Sequence, residues 1–314
     1  MWNRHRLAKI IVMLAVFVFF SANTVYFLEI PNEGVAAAAD KTFDFDFSHI
    51  PAGSTPRLNL KSAILIDYNN GNVLYAKNAD LQRPIASISK LVTAMVVLDK
   101  KIDLSMTTTI TKEDAAQSSR SRLRAGYEMT LLDLLHAALL NSDNRAARAL
   151  ARVAGGTTEE FVQAMNLKMK QLDLRNTVFY EPTGLDPRNV STATEVAKIL
   201  QYAYDYELVR QITSQKFRVC RILNRKNRTI RMANTNLLIN SRYKVLSGKT
   251  GYIKASDYCL TTLIENSRGE RLTCVVLGVP GDNLRFRETR RLVEWGFGQV
   301  GTAQKASPKG RTRG

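Results

Sequence analysis

The spacing of apolar residues changes period several times along this chain of 314 residues. An unbroken apolar run over 10–20 lies between Arg4, Arg6 and Lys9 on one side and the small-residue stretch Val35-Ala-Ala-Ala-Ala39 on the other. That three-part layout predicts an export signal, with the mature chain beginning near Asp40. The alternative is an uncleaved anchor, because the apolar stretch over 10–28 is almost long enough to span a bilayer. Over 40–60, Pro51, Gly53, Ser54 and Pro56 interrupt a short aromatic and acidic stretch, which predicts an extended linker. Apolar runs over 63–68 and 73–76 flank Asn69-Asn-Gly-Asn72 and predict a β-hairpin. Leu91, Ala94, Met95 and Leu98 then recur at helical spacing and predict a helix from Ser87 to about Lys101. Further helices are expected over 131–140, 144–153, 158–172 and 193–206, punctuated by Gly155-Gly156, Asn176 and Pro187. Strand patterning returns over 216–222, 229–232, 243–249, 258–265 and 272–279, and a last helix is expected over 286–297.

Two strands, a block of helices, several strands and a closing helix predict an α+β fold. An antiparallel sheet is fed by both chain ends, with helices packed on it and a helical subdomain in the middle. The expected organisation is a signal or anchor over 1–39, a linker over 40–60, one folded domain over 61–298 and a basic disordered tail over 299–314. A composition 45% hydrophobic supplies enough apolar side chains for a core of that size.

Charge and rare residues narrow the chemistry. The net charge is +17, and residues 1–39 hold only three of the basic and two of the acidic side chains, so the excess belongs to the mature chain. An anionic environment follows; export makes envelope polymers or a lipid headgroup surface better partners than nucleic acid, which is set aside. The run Lys216, Arg218, Arg221, Arg225, Lys226, Arg228 and Arg231 alternates with Phe217, Val219 and Ile222, which predicts strands with one solvated, charged face. Cys220, Cys259 and Cys274 are too few for a disulfide scaffold and read as buried thiols, although Cys259 and Cys274 fall on neighbouring strands. With His49 and His136 as the only histidines after residue 39, a metal hydrolase lacks ligands and a histidine triad has no base. No metal or cofactor is expected, and His136 reads as a packed helix residue.

Three short words stand in one order: Ser87-Ile88-Ser89-Lys90, Ser142-Asp143-Asn144 and Lys249-Thr250-Gly251. One S-x-x-K is expected by chance in about every chain of this length, and Ser241-Arg-Tyr-Lys244 is such a decoy, so order and context carry the reading. One helical turn puts the Ser87 hydroxyl and the Lys90 ammonium on one face. Lys90 becomes a base if burial and a second cation, Lys249, lower its pKa. Unpaired N–H groups of the first turn favour negative charge on the serine. Ser142, expected at a helix start, can pass a proton to a departing amine, and Asn144 can hold substrate backbone. Lys249 and Thr250, expected at the end of a strand, can take a carboxylate, and Gly251 lets a substrate strand approach. Backbone N–H groups of Ser87 and Tyr252 complete an oxyanion hole.

The three words together resemble those of penicillin-binding proteins and class A β-lactamases. Arg83-Pro-Ile-Ala-Ser-Ile-Ser-Lys-Leu-Val-Thr-Ala-Met-Val-Val-Leu-Asp99, Ser121-Arg-Leu-Arg124, Asn144-Arg-Ala-Ala147 and Glu181-Pro-Thr-Gly-Leu-Asp186 are similar to the low-molecular-mass penicillin-binding proteins, the D-alanyl-D-alanine peptidases, and especially to the penicillin-binding protein 7 type of endopeptidase. The similarity covers about 63–297. It implies a DD-peptidase/β-lactamase-like fold, a periplasmic or envelope setting, peptidoglycan peptides as substrate and β-lactams as covalent inhibitors acylating Ser87. It also implies Ser87 as nucleophile, Lys90 as its base, and the other two words as the second and third motifs. Only 17 residues follow Phe297, too few for the C-terminal β-rich domain of many carboxypeptidases of this group, which favours the endopeptidase type without settling it. Two rivals stand beside this reading. Glu181 falls where a class A β-lactamase carries its deacylating glutamate, but Leu185 stands where that pattern needs an Asn. A non-catalytic module holding anionic wall polymer would also use the basic surface.

Overall fold

A computed structural model describes residues 42–51, 55–116 and 121–306, without side-chain detail at 49 and 301–306. The expected signal or anchor and the last residues of the tail lie outside the described residues. Strands β1 (Ser62–Asp67) and β2 (Val73–Lys77) form the first hairpin, followed by the short β3 (Arg83–Pro84), a 3-10 turn (Ala86–Ser89) and helix α1 (Lys90–Asp99). The helical middle comprises β4 (Thr107–Thr109), α2 (Lys112–Ala115), β5 (Glu128–Thr130), α3 (Leu131–Leu140), α4 (Asn144–Gly155), α5 (Thr158–Gln171), β6 (Val190–Ser191), α6 (Ala193–Asp205) and α7 (Glu207–Thr213). Strands β7 (Phe217–Arg221), β8 (Thr229–Ala233), β9 (Lys244–Ile253), β10 (Asp257–Glu265) and β11 (Arg271–Val279) follow, and α8 (Asp282–Ala306) closes the chain.

The main sheet is antiparallel, in the order β2-β1-β11-β10-β9, so both chain ends do feed it. Its inner strands are buried on both faces: Ile64 and Ile66 of β1 face the helical cluster, while Ala63 and Leu65 face α8. Such strands lack a polar alternate, and for this reason they read as continuous apolar runs in the sequence. Helix α1 is buried almost all round, Lys90 included, so its weak amphipathicity marks a core helix. Each large aliphatic side chain withdrawn from water here contributes about 1.5–3 kcal/mol. That burial sets the rigidity of the turn at its N-terminus.

Several boundaries differ from the sequence reading. The described part of the 40–60 stretch is docked: a 3-10 turn forms at Phe47–His49, Leu58 and Leu60 are buried, and Asp46 exchanges backbone bonds with the first hairpin through Gly71 and Val73. Helix α8 continues past Gly298 to Ala306, where tail was expected. The β7–β8 hairpin has its faces reversed. Phe217 and Val219, read as its apolar side, are 46% and 53% exposed and share the outward face with Arg221 and Arg231. Cys220, Met232 and Arg218 face inward instead. The cause is Asp133 on α3, a buried carboxylate that pairs with Arg218 at 3.3 Å and accepts the Arg221 backbone N–H. Because side chains alternate strictly, seating Arg218 inward turns Phe217 and Val219 outward.

Cys259 and Cys274 lie on adjacent strands but on opposite faces of the sheet, one against the helical cluster and the other against α8. All three cysteines are free, buried thiols. Burial pushes the Cys220 thiol up to about 12. His136 is also packed, its Nδ1 2.8 Å from the Leu132 carbonyl, and burial lowers its pKa.

Candidate active site

The cleft forms where the 3-10 turn, the α3–α4 connection and the edge strand β9 meet. Ala86 holds a left-handed backbone (φ +49°) immediately before Ser87, and the turn feeds directly into α1. One turn later Lys90 Nζ lies 2.9 Å from Ser87 Oγ, 2.6 Å from Asn144 Oδ1 and 2.6 Å from the Thr183 carbonyl. When the amine is neutral, the contact to Ser87 runs the other way, with the Nζ lone pair accepting the hydroxyl proton. Burial is the main cause that lowers the Lys90 pKa, to about 7, and the Arg148 cation adds to it against the carboxylates of Glu181 and Asp143. Lys249 is coupled to Lys90 as the sequence reading expected: burial first, then the charges of Lys90 and Arg285, hold it well below the usual lysine range.

Lys249 is 1% exposed and donates to Ser142 Oγ at 2.8 Å and to the Thr250 carbonyl at 3.0 Å. Ser142 does not start a helix as expected. It sits in a left-handed turn (φ +57°), and Asp143 is the cap of α4, accepting from the backbone N–H groups of Arg145 and Ala146. Asp143 also accepts from Ser121 at 2.6 Å, which ties Ser121-Arg-Leu-Arg124 to the second motif. Asn144 opens α4 and reaches Lys90. Nor does the third motif end a strand, since β9 runs on to Ile253. Thr250 Oγ1 meets Thr235 Oγ1 at 2.6 Å. A Cβ on Gly251 would lie 2.7 Å from the Ile85 carbonyl oxygen and 3.2 Å from the Ser87 nitrogen, so glycine allows β9 to press against the nucleophile's turn. Tyr252, the next residue, is 47% exposed and stacks on Tyr258 with ring centroids 4.2 Å apart. Ser87, Lys90, Ser142, Asn144, Lys249, Thr250 and Gly251 therefore converge, with Tyr252 the next residue along β9.

Three supporting groups were not anticipated. Glu181 is a loop clasp: its carboxylate accepts from the backbone N–H groups of Thr183, Gly184 and Leu185, from the Thr183 hydroxyl at 2.6 Å and from Asn189. Committed in this way, it holds the Thr183 carbonyl against Lys90. Gly184 (φ +84°) brings that loop under the turn; a Cβ would overlap the Ala86 carbonyl and come within 2.7 Å of the Ser87 nitrogen. Arg285 on α8 is buried, donates to the Gly251 and Cys259 carbonyls at 3.2 and 3.4 Å, and has its pKa lowered by burial against the pull of Asp282. The segment 181–186 was visible as a motif, but its role depends on the donors of Thr183, Gly184, Leu185 and Asn189 converging on one carboxylate. Arg285 carries no signal, being one arginine among several on a charged helix.

The arrangement suits acyl transfer: a hydroxyl beside a buried, low-pKa amine, and a second hydroxyl beside a second buried amine. Among the described residues no three His, Cys, Asp or Glu side chains form a metal site. The model of the D-alanyl-D-alanine carboxypeptidase family matches residues 51–281. The D-alanyl-D-alanine endopeptidase of Escherichia coli (strain K12) is 37% identical over 247 residues, covering 77% of this chain and 78% of that protein. The D-alanyl-D-alanine carboxypeptidase DacF of Bacillus subtilis (strain 168) is 32% identical, covering 77% of this chain and 63% of that one. The solved structure of the Streptomyces K15 DD-transpeptidase superposes with a TM-score of 0.73 at 27% identity, covering 78% of this chain and 100% of that chain.

Proposed function

The chain belongs to the D-alanyl-D-alanine carboxypeptidase family and is a serine-type D-alanyl-D-alanine peptidase acting on peptidoglycan peptides; from that premise we propose that it works as an endopeptidase on cross-linked stems through a Ser87 acyl-enzyme. The observation carrying the mechanism is the 2.9 Å contact between Ser87 Oγ and the fully buried Lys90 amine. Neutral Lys90 takes the hydroxyl proton as Ser87 Oγ bonds to the D-alanine carbonyl carbon. Backbone N–H groups of Ser87 and Tyr252 receive the oxyanion, the term that contributes most in acyl transfer. As the C–N bond breaks, Ser142 passes a proton to the departing amine and is resupplied from Lys249, 2.8 Å away. Water then adds to the ester, giving its proton through Ser142 to the now neutral Lys249, while Lys90 returns its proton to Ser87 Oγ as the peptide acid leaves, so both amines regain their starting states. Asn144 binds substrate backbone, and Lys249, Thr250 and Gly251 take the carboxylate side. β-Lactams acylate Ser87 by the same route and stay.

The endopeptidase preference is supported by the higher identity to the Escherichia coli endopeptidase than to the carboxypeptidase DacF. Retention of Glu181 in its own loop speaks against a class A β-lactamase, in which that position must hold a hydrolytic water. The setting is the periplasm or cell envelope, reached by the 1–39 segment acting as signal or anchor. Among the described residues no helix is long and apolar enough to cross a membrane. The folded unit begins near 61 and includes α8 to Ala306, with the described residues of the 42–60 segment docked on it. Purified muropeptides test the specificity. Conversion of cross-linked dimers to monomers, read by product mass, is expected; loss of one terminal D-alanine from uncross-linked peptides, with dimers untouched, would make it a carboxypeptidase.

A further inference from the structure

The β7–β8 hairpin forms a rigid platform at the rim of the cleft. At its root Asn234 N bonds the Lys216 carbonyl, while Thr235 bonds the Leu140 carbonyl through its backbone and Thr250 through its hydroxyl. The hairpin is thereby fastened within two residues of Ser142 and directly to the third motif. Arg122 donates to the Arg231 carbonyl at 3.2 Å, and at the tip Leu223 N and Asn224 Nδ2 bond the Glu128 and Gly126 carbonyls. Its inner face is closed against α3 by Cys220, Met232 and the Arg218–Asp133 pair. Nothing among the described residues covers the outer face.

The hairpin concentrates positive charge, and Arg221 and Arg231 carry part of it on the outer face. Residues 216–231 hold seven Lys or Arg and no Asp or Glu, and among the described residues only Arg218 of the seven has a carboxylate partner. On that face Val219 lies opposite Arg231 and between Phe217 and Arg221 along its own strand, and the Arg231 guanidinium covers the Phe217 ring at 4.1 Å from its centroid. Seating Arg218 inward thus leaves Phe217 and Val219 exposed on the solvent side, beside two arginines that have no carboxylate partner among the described residues. An extended platform that combines cations with flat apolar surface fits a polymer bearing carboxylates along a backbone with apolar CH faces.

We infer that the outer face of the β7–β8 hairpin is a second contact for polymeric substrate, gripping the carboxylate-bearing stems of the peptidoglycan strand whose cross-link lies in the cleft. This rests on the peptidase reading and deepens it, since the platform selects the wall polymer over short soluble peptides. Continuity with the cleft favours the substrate over a lipid surface, which would lack the connection through Thr235 to Thr250. The contact is electrostatic at long range and is screened at high salt.

The test compares the unaltered protein with Arg221→Glu combined with Arg231→Glu, and separately with Phe217→Ser. Each is assayed on purified cross-linked sacculi, on a soluble cross-linked muropeptide dimer, and for the rate of labelling by a fluorescent penicillin. The charge variant is expected to lose about tenfold in kcat/KM on sacculi, with dimer cleavage and penicillin labelling within about twofold of the unaltered protein. Salt should slow the unaltered protein on sacculi far more than the variant. Phe217→Ser should show the same selectivity at smaller amplitude. Equal rates on sacculi, or equal fractional losses on sacculi and dimer, would overturn the inference. So would variants that lose binding to anionic phospholipid vesicles while sacculus cleavage is unchanged. Cleavage of neither substrate by the unaltered protein would sink the peptidase reading and this one with it, a result distinct from the others.

Discussion

Acylation should switch on with pH as Lys90 loses its proton. An ordinary lysine with a pKa of 10.5 is neutral in about one molecule in 3,000 at pH 7. Held at about 7 by burial, Lys90 is neutral in about half the molecules, a gain of roughly three orders of magnitude in available base. The neutral fraction is about a tenth at pH 6 and about nine tenths at pH 8, so the acylation rate should rise about tenfold between them. Because the folded pKa is lowered, activity is present above the folded pKa and lost as pH falls through it. Stopped-flow labelling with a fluorescent penicillin from pH 5 to 9 reads this directly. Two variants fix the cause. Arg148→Met removes a cation that lowers the Lys90 pKa and should move the midpoint up, whereas Glu181→Gln removes an anion that raises it and should move the midpoint down. Damage to the loop alone would reduce amplitude without moving either midpoint. A rate that is flat across the range, or a midpoint above about 9, would refute Lys90 as the base.

Three further outcomes follow from the geometry. Gly184→Ala forces a left-handed alanine that overlaps the Ala86 carbonyl, so thermal denaturation should show a loss of more than about 1–2 kcal/mol and penicillin labelling should fall; a normal melting curve and rate would contradict the loop's role. Lys249→Met replaces a buried amine with a group of similar length, so the melting temperature should move by only a few degrees while acylation drops about a hundredfold; the reverse pattern would make Lys249 structural. The Cys259 and Cys274 thiols, buried on opposite faces, should react with a thiol reagent only in denaturant, and a mass change on reduction of the native protein would show a disulfide the fold does not permit.

Local pattern carried far into this fold because its elements agree with their sequence periods. The Asn69-Asn-Gly-Asn72 hairpin, the helix after Ser87 and the strands buried on both faces were legible from apolar spacing and turn chemistry. Motif order also named seven residues that do come together, Ser87, Lys90, Ser142, Asn144, Lys249, Thr250 and Gly251. What stayed hidden depends on distant partners. The face of the β7–β8 hairpin was decided by Asp133, some 85 residues away from Arg218, and no periodicity within the hairpin reports that. Arg148 joins Lys249 as a cation coupled to Lys90 because α4 packs beside α1, a tertiary fact. Glu181 stood in a recognisable segment, yet its carboxylate turns back on the loop rather than toward the cleft. Helix α8 outran its expected end because apolar spacing ceases before the backbone does.

The central claim is that one hydroxyl, Ser87 Oγ, becomes the acyl carrier. Intact-mass measurement after brief incubation with penicillin, followed by peptide mapping, tests it most directly. The account predicts one added penicillin mass, located on the peptide containing Ser87 and absent from Ser87→Ala. An adduct mapped to Ser142, or one that persists undiminished in Ser87→Ala, would contradict it.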